Sequence, residues 1–340
     1  MFLIREAGPA DFRGVFALAR ILDSYNLPAD RRYVRRLLQI SRASFRGRMR
    51  KEQAIYLFVL ESVPGTRIVG CSLIMAKHGT RGHPHLWLAQ ERVRKASRTL
   101  PIRRSHEVLR MKWTEDGPTE IGGLVVFPGF RRHPDRCGLQ VAAGRFLYMG
   151  IHPERFERKV LIEYRGAMGT GGQSPFWEAV GRVFTGLPYH RADRLSVENK
   201  EFIRSLLPRE PIYCALLPLH VQRAIGAVHP AAKHAVRMAE RQGFRRLRQI
   251  EPFDGGPYYS APLRAIAMVR RARKGRLAEA AEAPPRAAAE RPALVGTEAG
   301  GTFRAVLASG RWAGARWRMN RAARRLLRVS EGDSVYVSPL

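Results

Sequence analysis

The chain has 340 residues, 45% hydrophobic and 26% charged, with five Trp and fifteen Phe, a composition that excludes a disordered polypeptide and leaves room for two or three domains. Sixty Lys and Arg against 29 Asp and Glu give a formal charge of +31, which points to anionic partners, whether nucleic acid, an acidic membrane surface or a small ligand. Three scattered cysteines, Cys71, Cys137 and Cys214, form no CxxC pair, which excludes a disulfide framework and a cysteine-rich zinc site and fits a reducing cytoplasm. The basic residues divide into 52 Arg and 8 Lys, and Ala, Gly and Pro are also abundant. All four favour GC-rich codons, so genome composition explains the choice of Arg but not the shortage of acids. No run of about 18 apolar residues is present, so no membrane-spanning helix is expected. Glu6 and Asp11 stand where a secretion signal needs apolar residues.

In chain order, Phe2–Arg5 reads as a strand, and Asp11 is placed to cap a helix through Val15, Phe16, Leu18 and Ala19. A second helix is predicted over Tyr33–Ile40, with Arg31/Arg35 and Arg32/Arg36 repelling at i,i+4. Ala54–Leu60 and Ile68–Met75 form a hairpin about Pro64-Gly65. Residues 77–118, rich in His, Arg and Pro, read as polar and irregular. Glu120–Val126 is a strand, Phe130–Leu139 a basic loop and Gln140–Met149 a helix; Val160–Tyr164 is a strand and Ser174–Phe184 a helix. Val228–Gly243 has Pro230 near its start and Gly243 past its end, the usual helix asymmetry, and Phe244–Ile250 returns as a strand. Ala278–Pro292 is Ala/Glu/Pro-rich and lacks core positions. Thr302–Leu307, Trp312–Met319 and Ser334–Val337 then read as strands of a small terminal β unit. The fold class is α/β or α+β, with a domain over 1–270, a linker over 271–292 and a β subdomain over 293–340.

Two places offer chemistry. The strand–basic loop–helix at 121–149, with Arg131, Arg132, Arg136 and Gly138, can cradle a pyrophosphate on backbone N–H groups, or be an ordinary connection. His229, at a helix mouth where the dipole favours a neutral ring, can relay a proton, or simply cap the helix. GxSxG, Walker, HExxH and GxGxxG motifs are missing from the sequence. His78, His83 and His85 cluster without a carboxylate or cysteine at metal spacing, so no metal site is expected.

The opening LIREAGPADFRGVFALA and the later AVRMAERQGF resemble the first strand–helix and the last helix–strand of GCN5-related N-acyltransferases. A closer resemblance, over nearly the whole chain, is to the arginine N-succinyltransferase family. It rests on EYRGAMGTGGQSPFWEAVGRVF (163–184), HRADRL (190–195), LLPREPIY (206–213), IGAVHP (225–230) and PFDGGP (252–257).

That resemblance implies a GCN5-related N-acyltransferase-like mixed sheet flanked by helices, and transfer of succinyl from succinyl-CoA to the α-amino group of L-arginine in arginine catabolism. Succinyl-CoA is then a co-substrate, with no permanently bound cofactor. His229 corresponds to the family's proton donor and Leu124 to the strand residue that contacts succinyl-CoA. Many members of the wider superfamily protonate the thiolate with a Tyr where this chain has Ala239, which strengthens His229 as the acid. Val126, Arg131, Arg132 and Gly138 are expected at the CoA. Glu163 and Arg165 offer ion-pair partners for the guanidinium and carboxylate of arginine, and Ser174 stands beside them in sequence as a ligand group or a helix cap.

The loop at 131–138 is about two residues longer than the family's Arg-x-x-Gly-x-Gly form, with Arg136 at its first glycine, and Lys112–Pro118 departs from the Asn/Asp-His-Thr-Gly form. The family forms oligomers, of one chain or of paired related subunits. Two alternatives stand beside this reading: transfer to another amine (ornithine, a polyamine or a peptide terminus), and a basic nucleic-acid-binding derivative without catalysis.

Overall fold

The computed structural model describes residues 1–22, 24, 26–279 and 291–340, with Glu198 by its backbone alone. They form two compact units: Met1–Lys77 with Ile121–Arg158 and Pro262–Leu340, and His78–Glu120 with Lys159–Ala261.

In the first unit the strands follow the order Arg67–Met75, Ile55–Ser62, Phe2–Glu6 and Arg304–Ala313, with Ile121–Val126 beyond Arg67–Met75. The run IYLFVL at 55–60 is apolar on both faces because both faces are covered. Leu57 and Val59 pack with Val15, Leu18, Val34 and Leu37 from helices Phe12–Leu22 and Arg31–Phe45. Tyr56 and Phe58 meet Tyr148 of helix Cys137–Ile151 at 5.2 and 5.5 Å between ring centres. Asp11 caps from within the first turn, its carboxylate taking the Gly8 N–H, and it also takes both terminal nitrogens of the half-buried Arg5, at 2.8 Å each. The predicted Arg31/Arg35 repulsion is offset by cation–π contacts, with both guanidinium groups lying over the Phe12 ring at 5.7 and 4.8 Å.

The C-terminal strands close on themselves. Arg291–Thr297, Ser334–Pro339, Arg273–Leu277, Arg316–Met319 and Arg304–Ala313 pair in that order, and the last pairs back with the first. Arg273–Leu277 is thus a strand inside the segment expected as linker, and residues 280–290 of that segment lie outside the described residues.

The second unit has strand order Lys159–Glu163, Pro257–Pro262, Arg245–Ile250, His85–Ala96, Arg103–Thr114 and Ile212–Tyr213, with Thr119 and Glu120 parallel to Val160 and Leu161. The segment 77–118, expected to be irregular, is a hairpin of two twelve-residue strands. Among the described residues, Leu88 and Ala89 pair with Ile250 and Gln249, and Val108 and Leu109 with Tyr213 and Ile212. Its outer half, with Arg94, Lys95, Arg103 and Arg104, is wet on both faces, so no apolar alternation marks it as a strand. The helix expected over 174–184 is two, Pro175–Ala179 and Gly181–Thr185. The break lets Trp177 lie against Gly181, where a Cβ would come within 2.2 Å of its ring. The helix expected from Val228 is a short 3-10 turn, Pro230–Ala232, followed by Lys233–Arg241.

Candidate active site

Within the second unit, hydrogen bonds tie together segments far apart in sequence. The His229 N–H donates to the Arg165 carbonyl at 2.9 Å, and the Gly226 N–H to the Gly255 carbonyl at 2.7 Å. The Asp254 carboxylate accepts from the Gly166 and Gly256 N–H groups at 2.9 and 2.7 Å. Both glycines are required sterically, since a Cβ would meet the Asp254 carbonyl oxygen at 2.2 Å or the Tyr164 carbonyl oxygen at 2.1 Å. The Ser174 hydroxyl is buried; it donates to the Phe253 carbonyl and accepts from the Trp177 N–H, both at 3.0 Å. That geometry is a helix cap that also pins the 252–257 turn.

The pieces EYRG, SPFW, VHP and FDGGP thus meet at one place, with His229, Glu163, Arg165 and Asp254 carried on them. His229 is half-buried, and its Nδ1 accepts the Ala231 N–H at 3.2 Å. In the neutral ring the proton therefore sits on Nε2, which is free to donate it.

The site is rich in buried acid. Burial, then the charge of Glu120, pushes Glu163 up to about 8. The Tyr258 hydroxyl stands 3.3 Å from its carboxylate. Glu251 is raised by burial and then by the nearby Glu163, while accepting from the Phe253 and Asp254 N–H groups at 2.6 and 2.9 Å. Asp254 is raised by burial, against the pull of its two backbone donors and of Arg165 and His229. Such a concentration of carboxylates, with Arg165, His229 and Lys200 as the cations acting on it, can take up a cationic ligand. Reading the sequence alone missed Glu120, Glu251 and Tyr258 as members. Glu251 stands one residue before the PFDGGP block, which was the available signal.

In the first unit, the Arg131 Nε donates to the Val126 carbonyl at 3.2 Å, and Leu124 is half-buried one residue after Gly123, which has φ +58. Arg131, Arg132 and Arg136 are exposed. Helix Cys137–Ile151 starts from Arg136 in the left-handed conformation, φ 53 and ψ 52, with no side chain capping it. Open space lies before Gly138, where a Cβ would meet nothing within 4 Å. Uncapped N–H groups, the positive helix end and three arginines make an anion cradle. The sequence-predicted residues thus fall into two groups: Glu163, Arg165, Ser174 and His229 in one unit, and Leu124, Val126, Arg131, Arg132 and Gly138 in the other.

A mixed α/β chain with a half-buried histidine beside raised carboxylates, and an uncapped helix start flanked by three arginines, is of a kind with acyltransferases. Residues 2–268 match the family described as "Arginine N-succinyltransferase beta subunit", and residues 273–339 match its "C-terminal domain". The arginine N-succinyltransferase of an Enterobacter species is 31% identical, covering 98% of this chain and 96% of that protein. The arginine N-succinyltransferase subunit alpha of Pseudomonas aeruginosa is 34% identical over 98% of both chains. The solved structure of arginine/ornithine succinyltransferase subunit AI from Pseudomonas aeruginosa superposes with a TM-score of 0.85 at 32% identity, covering 100% of this chain and 98% of that one. The chain belongs to the arginine N-succinyltransferase family.

Proposed function

We propose that the chain transfers the succinyl group of succinyl-CoA to the α-amino group of L-arginine, a step of arginine catabolism. The observation that carries this reading is the convergence of four separate segments about the 252–257 turn, beside His229, whose Nδ1 accepts the Ala231 N–H and whose Nε2 is left to donate. The free amine attacks the thioester carbonyl and a tetrahedral oxyanion forms. The C–S bond breaks, and His229 Nε2–H protonates the CoA thiolate. The CoA pyrophosphate rests on Arg131, Arg132 and the helix start at Gly138. Glu163 takes the guanidinium and Arg165 the carboxylate of arginine, while Ser174 holds the turn that carries Asp254.

The cytoplasm, where acyl-CoA and reduced thiols coexist, suits its three buried free cysteines. No helix among the described residues is long and apolar enough to cross a membrane. An oligomer of one chain, or a pairing with a related subunit, fits the subunit names its relatives carry.

The test is thiol release from succinyl-CoA with arginine, ornithine or no amine. Arginine-dependent release supports the reading, and His229→Ala should lower turnover about 100- to 10,000-fold with the donor KM little changed. Release that favours ornithine, or none with any amine, overturns the assignment.

A further inference from the structure

The reaction proposed above needs a second proton-handling group. An ammonium that becomes an amide loses two protons; one ends on the thiolate through His229, and the other must leave by a different route. We propose that His78 is the base that takes that proton from the acceptor amine, with Glu120 as the positioning residue that holds its ring.

His78 Nδ1 lies 2.7 Å from Glu120 Oε2, with side chains only 7% and 1% exposed. The approach is ion-pair close although Glu120 Oε2 is not in hydrogen-bond alignment with the ring, and the adjacent carboxylate favours the proton on the nitrogen that faces it, Nδ1, which leaves the lone pair on Nε2. This is the opposite tautomer from His229. One imidazole of the unit is set to give a proton from Nε2 and the other to receive one there. His78 Nε2 is buried and has no hydrogen-bond partner among the described residues. A buried nitrogen left without a partner is costly, and an arriving ammonium N–H removes that cost.

The dyad is continuous with the site. Glu120 sits opposite Leu161 in the parallel register, on the same side of the sheet as Glu163 two residues on. The His78 ring meets His85 edge-on at 4.7 Å, His85 meets Tyr258 at 5.2 Å, and the Tyr258 hydroxyl reaches Glu163. Glu163 feels Asp254, and Asp254 feels Arg165 and His229. The groups around the dyad are therefore Glu120, Glu163, Tyr258 and His85, with Lys159 and Lys200 acting on His85. His85 is held neutral, well below its usual range, by burial and then by the charge of His78. It therefore adds no competing charge. No trio of metal-ligating side chains occurs among the described residues.

R–NH3+ and neutral His78 give R–NH2 and His78 protonated at Nε2. The amine then forms the N–C bond as the C–S bond breaks, the second nitrogen proton replaces the one His229 gives to sulfur, and His78 returns its proton to solvent.

The variant is His78→Asn, whose amide N–H can keep the bond to Glu120 while losing the titrating nitrogen. Its kcat/KM for arginine is compared with that of the unaltered enzyme between about pH 6 and about pH 9, with circular dichroism melts confirming folding. The expected result is a deficit of about 100-fold or more near neutrality that shrinks steadily as pH rises, because the amine then arrives already deprotonated. A deficit equal at every pH, or none, overturns the proposal. The inference rests on amine acylation, but the two claims separate. If the unaltered protein uses ornithine instead, the arginine assignment fails and the same comparison with ornithine decides for His78. If it uses no amine, both fail.

Discussion

Glu163 shows how a single side chain can record what its pocket is for. Its carboxyl, raised to about 8 by burial and by Glu120, keeps its proton at neutral pH, whereas the same group in an unfolded chain ionises near its ordinary value of 4.5. The folded state binds this proton more tightly, so the group's stabilising contribution is complete below about 4.5 and is lost as pH climbs through about 8. Glu163→Gln, which cannot ionise, should therefore raise the melting temperature of the unliganded protein at about pH 8.5 and change it little at about pH 5. A gain of equal size at both pH values would contradict the burial argument. Arginine should ionise the same carboxyl, so its binding near pH 7 should release a proton to buffer, and less of one in the variant.

Among the elements, the loop before helix Cys137–Ile151 carries the clearest conflict between residue and conformation. Arg136 sits at φ 53, where a Cβ costs about 1 kcal/mol and glycine costs little. Arg136→Gly should stabilise the fold by up to about 1 kcal/mol, tempered by a looser unfolded chain. Because Arg136 is also one of the three arginines at the helix start, the same change should raise the KM for succinyl-CoA a few-fold, less than loss of Arg131 and Arg132 together, as a melt and a donor titration would show. The position was visible in the sequence as a missing glycine, because the backbone demand survives when the residue does not. Apolar periodicity likewise announced strands Phe2–Glu6, Ile55–Ser62 and Arg67–Met75 and helices Phe12–Leu22, Arg31–Phe45 and Cys137–Ile151, but not strands Arg273–Leu277 and Arg291–Thr297 or helix Arg321–Leu327. It failed for the 85–114 hairpin, whose ends stand in solvent, and for the one-turn start at Pro230. The acid cluster was half legible: Glu163 and Asp254 lie in recognisable blocks, whereas Glu120 and His78 become partners only through a strand register that no local pattern encodes.

For the molecule as a whole, the charge of +31 has opposite meanings for the two substrates. It draws in the anionic acyl donor and repels cationic arginine, which only the local carboxylates near Glu163 can offset. Raising ionic strength from about 0.01 M to about 0.15 M shortens the screening length from roughly 30 to roughly 8 Å. The KM for succinyl-CoA should then rise and that for arginine fall. Parallel shifts would mean that the surface field does not guide either.

The two family matches meet between residues 268 and 273, an inviting place to cut the gene and express the halves. The backbone forbids it. Arg304, Ala305 and Val306 pair on one side with Thr297, Gly296 and Val295, and on the other with Arg5, Ile4 and Leu3. A protein ending near residue 270 would lose both that strand and the ring of strands it closes, and its first strand would present a bare row of N–H and C=O groups to any neighbour. Such an edge recruits copies of itself, so the amino-terminal piece made alone is a seed for aggregation rather than a smaller enzyme.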